Sequence, residues 1–245
     1  MVTEEMRRLC KSVFGQAAQF FPAHGMTEGG GTIGYNEHDG DDAVVPATDG
    51  GILSVGRVQP GCKIRIVDTD TQMPVKIGEK GDLHLCSHNI ITEYMENRAA
   101  DDFYQLGDNR WFKTGDLAMM DGQGFIYVMG RSKDIIKFHG ISLSPSVLEG
   151  ALNKDKEIQV KVLGLAEAQH GEVPVAVVKC TASKQDGIKE RLVRQSVEYL
   201  GEDYALHHVY FVEELGLKEF PLNSTGKVER RQLLEAIKRT SQRSQ

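Results

Sequence analysis

Apolar residues in the first fifteen positions fall on one helical stripe, Met6, Leu9, Cys10 and Val13, with Thr3 placed to cap the start and Gly15 to end the turn. This spacing predicts an amphipathic helix. A short apolar run at 17–21 predicts a strand, which leads into a glycine-rich loop, HGMTEGGGTIG, at 24–34. From 51 to 130 the texture changes to short alternating runs: Cys62, Ile64 and Ile66; Leu83 and Leu85; Phe125, Tyr127 and Met129. These predict strands, broken by turns at 78–81 and 121–124. Beyond Gly130 helices and strands alternate, the pattern of a small α+β unit. Ser144 and Pro145 open a helix whose buried stripe is Val147, Leu148, Ala151 and Leu152. Strands at 158–165 and 173–180, a helix at 188–200, a third strand at 207–212 and a last helix through Leu233, Leu234 and Ile237 complete the pattern. The expected boundary lies at 131–133.

Composition narrows the class of function more than it names one. The 245 residues are 40% hydrophobic, enough for a substantial core. A net charge of -6 offers no polybasic face for nucleic acid or anionic lipid. Cys10, Cys62, Cys86 and Cys180 form no CxxC pair and no finger spacing, which suits a reducing compartment. Neither a signal-peptide core nor an apolar stretch near the roughly 20 residues of a membrane span is present. Cytoplasm is the expected location.

Four local signals carry the candidate chemistry. In order they are GMTE at 25–28, TGD at 114–116, GRSKDIIKFHGISLSP at 130–145, and PLNSTGK ending at Lys227. Taken as residue types, Thr27 offers a hydroxyl to a phosphate oxygen and Glu28 a carboxylate to a divalent ion. Asp116 offers two acceptor oxygens, suited to a pair of sugar hydroxyls. Arg131 is a permanently charged fork and Lys227 a point charge on a loop. Without further context each has a plainer reading: a solvated turn, a hairpin aspartate, a surface ion pair, a lysine preceding a helix.

In this order and spacing the motifs resemble the adenylate-forming (AMP-binding) family, which includes acyl- and aryl-CoA ligases, luciferases and peptide-synthetase adenylation domains. The resemblance covers nearly the whole chain and is to the C-terminal half of the family, of the acyl-CoA synthetase and 4-coumarate-CoA ligase type. It implies an α+β chain: a remnant of a large α/β nucleotide domain at 1–50, a β-rich, distorted-barrel subdomain at 51–130, and a mobile α+β lid at 131–245. It also implies two steps, attack of a carboxylate on the α-phosphate of ATP and displacement of AMP by the thiol of CoA. The implied ATP/AMP-binding residues are His24, Gly25, Met26, Thr27, Glu28, Asp116 and Arg131, with Mg2+ on Glu28. His24 departs from the aromatic residue usual at its position. Lys133 is the implied hinge, Lys227 the lysine of adenylation, and Lys137 a second catalytic candidate. His139 and Gly140 are implied to approach the adenylate when CoA attacks.

The family's phosphate-binding loop and most of its acyl pocket lie upstream of the matching region and have no counterpart among these residues. The expectation is therefore a ligase segment needing an N-terminal half, supplied by a longer product or a partner chain. A non-catalytic remnant or AMP/CoA-binding module is an alternative. A peptide-synthetase adenylation fragment is a second alternative, against which the SKDIIK and SLSP wording speaks.

Overall fold

The structure, a computed structural model, describes residues 1–35, 45–97, 100–138, 141–153, 155, 157–167, 171–181, 185–202 and 205–243. The chain divides into two units, Met1–Lys133 and Asp134–Gln245.

Unit 1 opens with helix α1 (Glu4–Phe14), where the Thr3 hydroxyl accepts the Met6 N–H and Gly15 ends the helix. The predicted stripe is there, yet Met6, Leu9, Val13 and the adjoining Phe14 are all exposed. The strand expected at 17–21 is not formed. Strands exist through their ladders, and among the described residues no strand pairs with this run; Ala18 N–H instead turns back to the carbonyl of Gly15. The glycine-rich segment, expected as a loop, is a hairpin of β1 (His24–Met26) and β2 (Gly30–Gly34). Gly25 permits it, because a Cβ there would stand 3.0 Å from the carbonyl oxygen of Gly30. β2 then pairs with β3 (Arg57–Val58).

The alternating region forms a five-stranded antiparallel sheet: β4 (Lys63–Val67), β5 (Lys80–Cys86), β6 (Phe103–Leu106), β7 (Asn109–Met120) and β8 (Ile126–Arg131). Strand order is β4-β5-β7-β6, with β8 also on β7. Ile66, Leu83 and Leu85 turn inward as the alternation predicts and pack with Ile33 and Val55, but on β8 it is Ile126 and Val128, not the expected Tyr127 and Met129, that join them, because the strand is buried on both faces. The barrel anticipated here stays open, since no sheet closes on itself among the described residues. Trp111 is buried.

Unit 2 carries β9 (Ile136–Phe138), β10 (Ile141–Leu143), α2 (Pro145–Leu152), β11 (Gln159–Glu167), β12 (Gly171–Lys179), α3 (Ile188–Leu200), β13 (His208–Phe211) and α4 (Arg230–Arg243). The sheet runs β10-β9-β12-β11, with β13 parallel to β12. Residues 173–178 of β12 are all buried, which is why this strand reads as a continuous apolar run rather than an alternation. Leu148, Leu152, Leu192, Leu233 and Ile237 from the helices close over the sheet. The buried stripe of α2 differs from expectation: Val147 and Ala151 are half-buried and Glu149 is buried. That carboxylate accepts from Val162 N–H at 3.0 Å, Lys161 Nζ at 3.2 Å and Arg230 Nη2 at 2.8 Å, so its charge enters the interior fully partnered. No helix among the described residues is long and apolar enough to cross a membrane.

Candidate functional site

The TGD segment is a break in the β5–β7 ladder. Leu83 pairs with Asp116 and His84 with Lys113, so Thr114 and Gly115 are extra residues on β7. Gly115 takes the bulge's left-handed conformation, φ 69, which costs an L side chain about 1–2 kcal/mol. Thr114 fills the gap in the ladder: its hydroxyl donates to Leu83 O at 2.7 Å and accepts Asp116 N–H at 3.0 Å. The bulge thereby fixes the backbone from which Asp116 projects.

Asp116 is buried and stands opposite Arg131 in the β7–β8 register. Its Oδ1 lies 3.3 Å from Arg131 Nε, and its Oδ2 lies 2.9 Å from His24 Nε2. Arg131 also donates through Nη1 to Thr114 O, which ties the guanidinium to the bulge. Because a carboxylate only accepts, His24 Nε2 carries the proton of that bond. The other ring nitrogen, Nδ1, is buried without a hydrogen-bond partner among the described residues. His24 thus reaches the carboxylate of Asp116 from β1 while Arg131 reaches it from β8. Each oxygen of Asp116 retains a lone pair for a further donor.

Beside this cluster lies a cavity of about 620 Å³ lined by Met26, Glu28, Thr114, Gly115, Arg131 and Lys133, among others. Glu28 Oε1 accepts the Tyr94 hydroxyl at 2.7 Å. Burial first, and then this bond to Glu28, pushes the Tyr94 phenol up to about 12, so it remains a donor. Among the described residues no three His, Cys, Asp or Glu side chains converge as a metal cage. A carboxylate so placed on the cavity wall would suit Mg2+, an ion usually held by one or two carboxylates together with phosphate oxygens. Gly25 and exposed Thr27 belong to the same hairpin as His24.

Sequence reasoning missed the far wall of the cavity, where Asp82, His84 and Lys113 lie. Asp82 accepts from the hydroxyl of Ser132. Alternation was the available signal: with Leu83 and Leu85 inward, Asp82 and His84 must share the opposite face of β5.

The remaining predicted residues lie in unit 2 or at its start. Lys137 is exposed on β9, its backbone N–H held by Glu172 Oε2. His139 and Gly140 lie outside the described residues. Lys227 is exposed, and its ammonium makes no ion pair among the described residues. Asn223 Oδ1 accepts from Thr225 N–H, Thr225 Oγ1 and Lys227 N–H at 2.8 to 3.0 Å, and Asn223 N–H donates to Lys227 O. This closes 223–227 into a knot with Lys227 on its rim.

The architecture is that of adenylate-forming enzymes. Over 96% of its residues the chain superposes on the ATP-bound structure of MatB from Rhodopseudomonas palustris, with TM-score 0.73, 23% identity and 43% of that chain covered. It covers 44% of the o-succinylbenzoate CoA synthetase (MenE) of Bacillus subtilis in complex with its acyl-adenylate OSB-AMP, with TM-score 0.73 and 22% identity. No protein-family model matches the chain. Its sequence relatives narrow the class to acyl-CoA ligases and 4-coumarate-CoA ligases. An acyl-CoA ligase of Pestalotiopsis microspora is 37% identical over 97% of this chain and 40% of its own length. A 4-coumarate-CoA ligase of Pinus taeda is 30% identical over 92% of this chain and 39% of its own. The chain therefore matches the acyl-CoA ligase family while spanning about 40% of the length of these relatives.

Proposed function

We propose that the chain is the segment of an acyl- or aryl-CoA ligase that holds the ribose and α-phosphate of the nucleotide and carries the lysine of adenylation. The observation supporting this most directly is the Asp116 cluster, an acceptor pair seated on a bulge and flanked by Arg131, beside a cavity that also receives Glu28. Asp116 accepts the ribose hydroxyls, for which its free lone pairs suffice. Arg131 offers its remaining N–H groups to ribose or phosphate oxygens. Glu28 is the residue that would hold Mg2+, which would supply charge neutralisation for the phosphates. Thr27 donates to a phosphate oxygen, and His24 borders the adenosine.

The chemistry is attack of a carboxylate oxygen on the α-phosphorus with departure of pyrophosphate, followed by displacement of AMP by the thiol of CoA. Negative charge gathers on the phosphoryl oxygens in the first step, so a fixed cation matters most there. Lys227, held at the rim of its knot, supplies it. Lys133, the last residue of unit 1, is the hinge about which unit 2 turns between the steps. Lys137, with His139 and Gly140, then approaches the adenylate. The residues of the family absent from this segment, its phosphate loop above all, come from a longer product or a partner chain, and the setting is cytoplasmic.

Titration calorimetry of the chain with AMP tests the first half of this reading. Asp116→Ala should weaken binding about tenfold or more, as expected for hydrogen bonds to a charged acceptor; unchanged affinity would count against the ribose role. Supplying an N-terminal half from a relative tests the second half. ATP-pyrophosphate exchange should appear and be lost in Lys227→Ala, while thiol transfer from preformed acyl-adenylate persists.

A further inference from the structure

His84 is buried in β5, yet it lines the cavity described above. The register sets Arg65 of β4 on one side of it and Lys113 of β7 on the other. Its Nδ1 lies 2.8 Å from the hydroxyl of Tyr104, and that hydroxyl accepts from Arg65 Nη1 at 3.1 Å. A guanidinium can only donate, so one lone pair of the phenol is committed to Arg65. Among the described residues Nδ1 of His84 is the one acceptor within reach of the Tyr104 proton, so pairing that proton sends it to His84. That nitrogen is then an acceptor, and the imidazole proton must sit on Nε2.

Charge agrees with this geometry. Burial, with Lys113 and Arg65 adding to it and Asp82 opposing, lowers His84 to about 4. The ring is therefore neutral at ordinary pH. Among the described residues the charges acting on it are Asp82, two residues away on β5, Lys113 and Arg65, with the Tyr104 hydroxyl bonded to it and the Cys86 thiol two residues further along β5. Asp82 is occupied by the Ser132 hydroxyl, whereas Lys113 lines the cavity next to His84. An N–H beside an ammonium, on the wall of a polar cavity, selects an anionic oxygen.

We propose that His84 is a ligand-binding residue: locked by the Arg65–Tyr104 relay as the Nε2–H tautomer, it donates with Lys113 to a phosphate oxygen in the cavity. That the phosphate belongs to a nucleotide rests on the function proposed above, whereas the tautomer does not. The same oxygen chemistry could come from AMP, from pyrophosphate or from the 3′-phosphate end of CoA. Because the donor is neutral, the anion's affinity should show no histidine step between pH 5.5 and 8, unlike that of an unperturbed imidazole titrating near 6.5.

The full chain, labelled with 15N in histidine, provides the test. Two-bond proton–nitrogen spectra at pH 7, with the His84 signal identified by its loss in His84→Gln, should show Nε2 protonated and Nδ1 bare. Adding pyrophosphate, AMP or adenosine 3′,5′-bisphosphate should shift Nε2, and the strongest response identifies the source; adenosine should leave it unmoved. An Nδ1-protonated or charged ring overturns the proposal, as does an Nε2 that ignores all three phosphates or answers adenosine equally. His84→Leu should weaken binding of the responding phosphate about tenfold, and His84→Gln, which keeps an amide donor at that reach, much less. Equal losses would mark a structural role only. If pyrophosphate moves His84 while neither adenosine nor AMP binds, the nucleotide reading fails and this one stands.

Discussion

Thr114 shows how much one side chain carries. Its hydroxyl closes the ladder toward Leu83 and caps the amide of Asp116, so Thr114→Val would keep the shape and strand both groups. The expected cost is about 1–3 kcal/mol in urea unfolding, with a parallel loss of AMP affinity as Asp116 shifts. Full stability in the valine variant would show that the bulge does not depend on the hydroxyl. His84 gives a pH signature of a different kind. Its folded pKa, about 4, lies below the ordinary 6.5, so between these values the unfolded chain binds more protons than the folded one. Stability should be unaffected by His84 above pH 6.5 and fall as pH drops from 6.5 toward 4. Denaturant melts across that window should flatten in His84→Phe; an unchanged slope would assign the acid sensitivity to other groups. Glu28, Asp116 and Arg131, which the fold gathers around one cavity, were legible as candidates in the sequence because each sits in a short local motif. His84, Tyr104 and Arg65 were not, because their relation exists only once three strands are in register.

Among elements, the same division holds for a physical reason. Strands β11, β12 and β13 and helix α3 were legible because burial marks the residues themselves, as a period or as an unbroken apolar run, whereas the three-residue β9 and β10 are too short to show one. The run at 17–21 misled, since its apolar character says nothing of whether a partner strand lies alongside. Glu149, absent from the expected buried stripe of α2, in fact joins α2, β11 and α4. Glu149→Ala should remove about 3 kcal/mol, the usual consequence of leaving buried partners without their counter-charge. Urea titration of the full chain checks this, and a loss below about 1 kcal/mol would mean that water substitutes for the carboxylate.

For the molecule as a whole, two cores matter more than any one contact. The buried cluster of unit 2 draws only on residues from Ile136 to Ile237, so Asp134–Gln245 possesses a complete interior of its own. Expressed separately it should melt in a single cooperative transition, and Glu149→Ala should cost it what it costs the full chain. A broad, non-cooperative melt would show that the unit leans on residues before Asp134. The division near Lys133 was visible as a change of texture along the chain, whereas the open form of the sheets was not, since closure depends on strand tilt and stagger that no local pattern encodes.

Parallel pairing of β12 with β13 leaves its mark on how unit 2 comes together. β11 and β12 are neighbours in the chain and can zip locally, but β13 has nowhere to dock until the intervening stretch has folded back through α3. The knot that carries Lys227 follows β13. During synthesis, then, the ammonium proposed for chemistry emerges only after the last strand of its own sheet has been made.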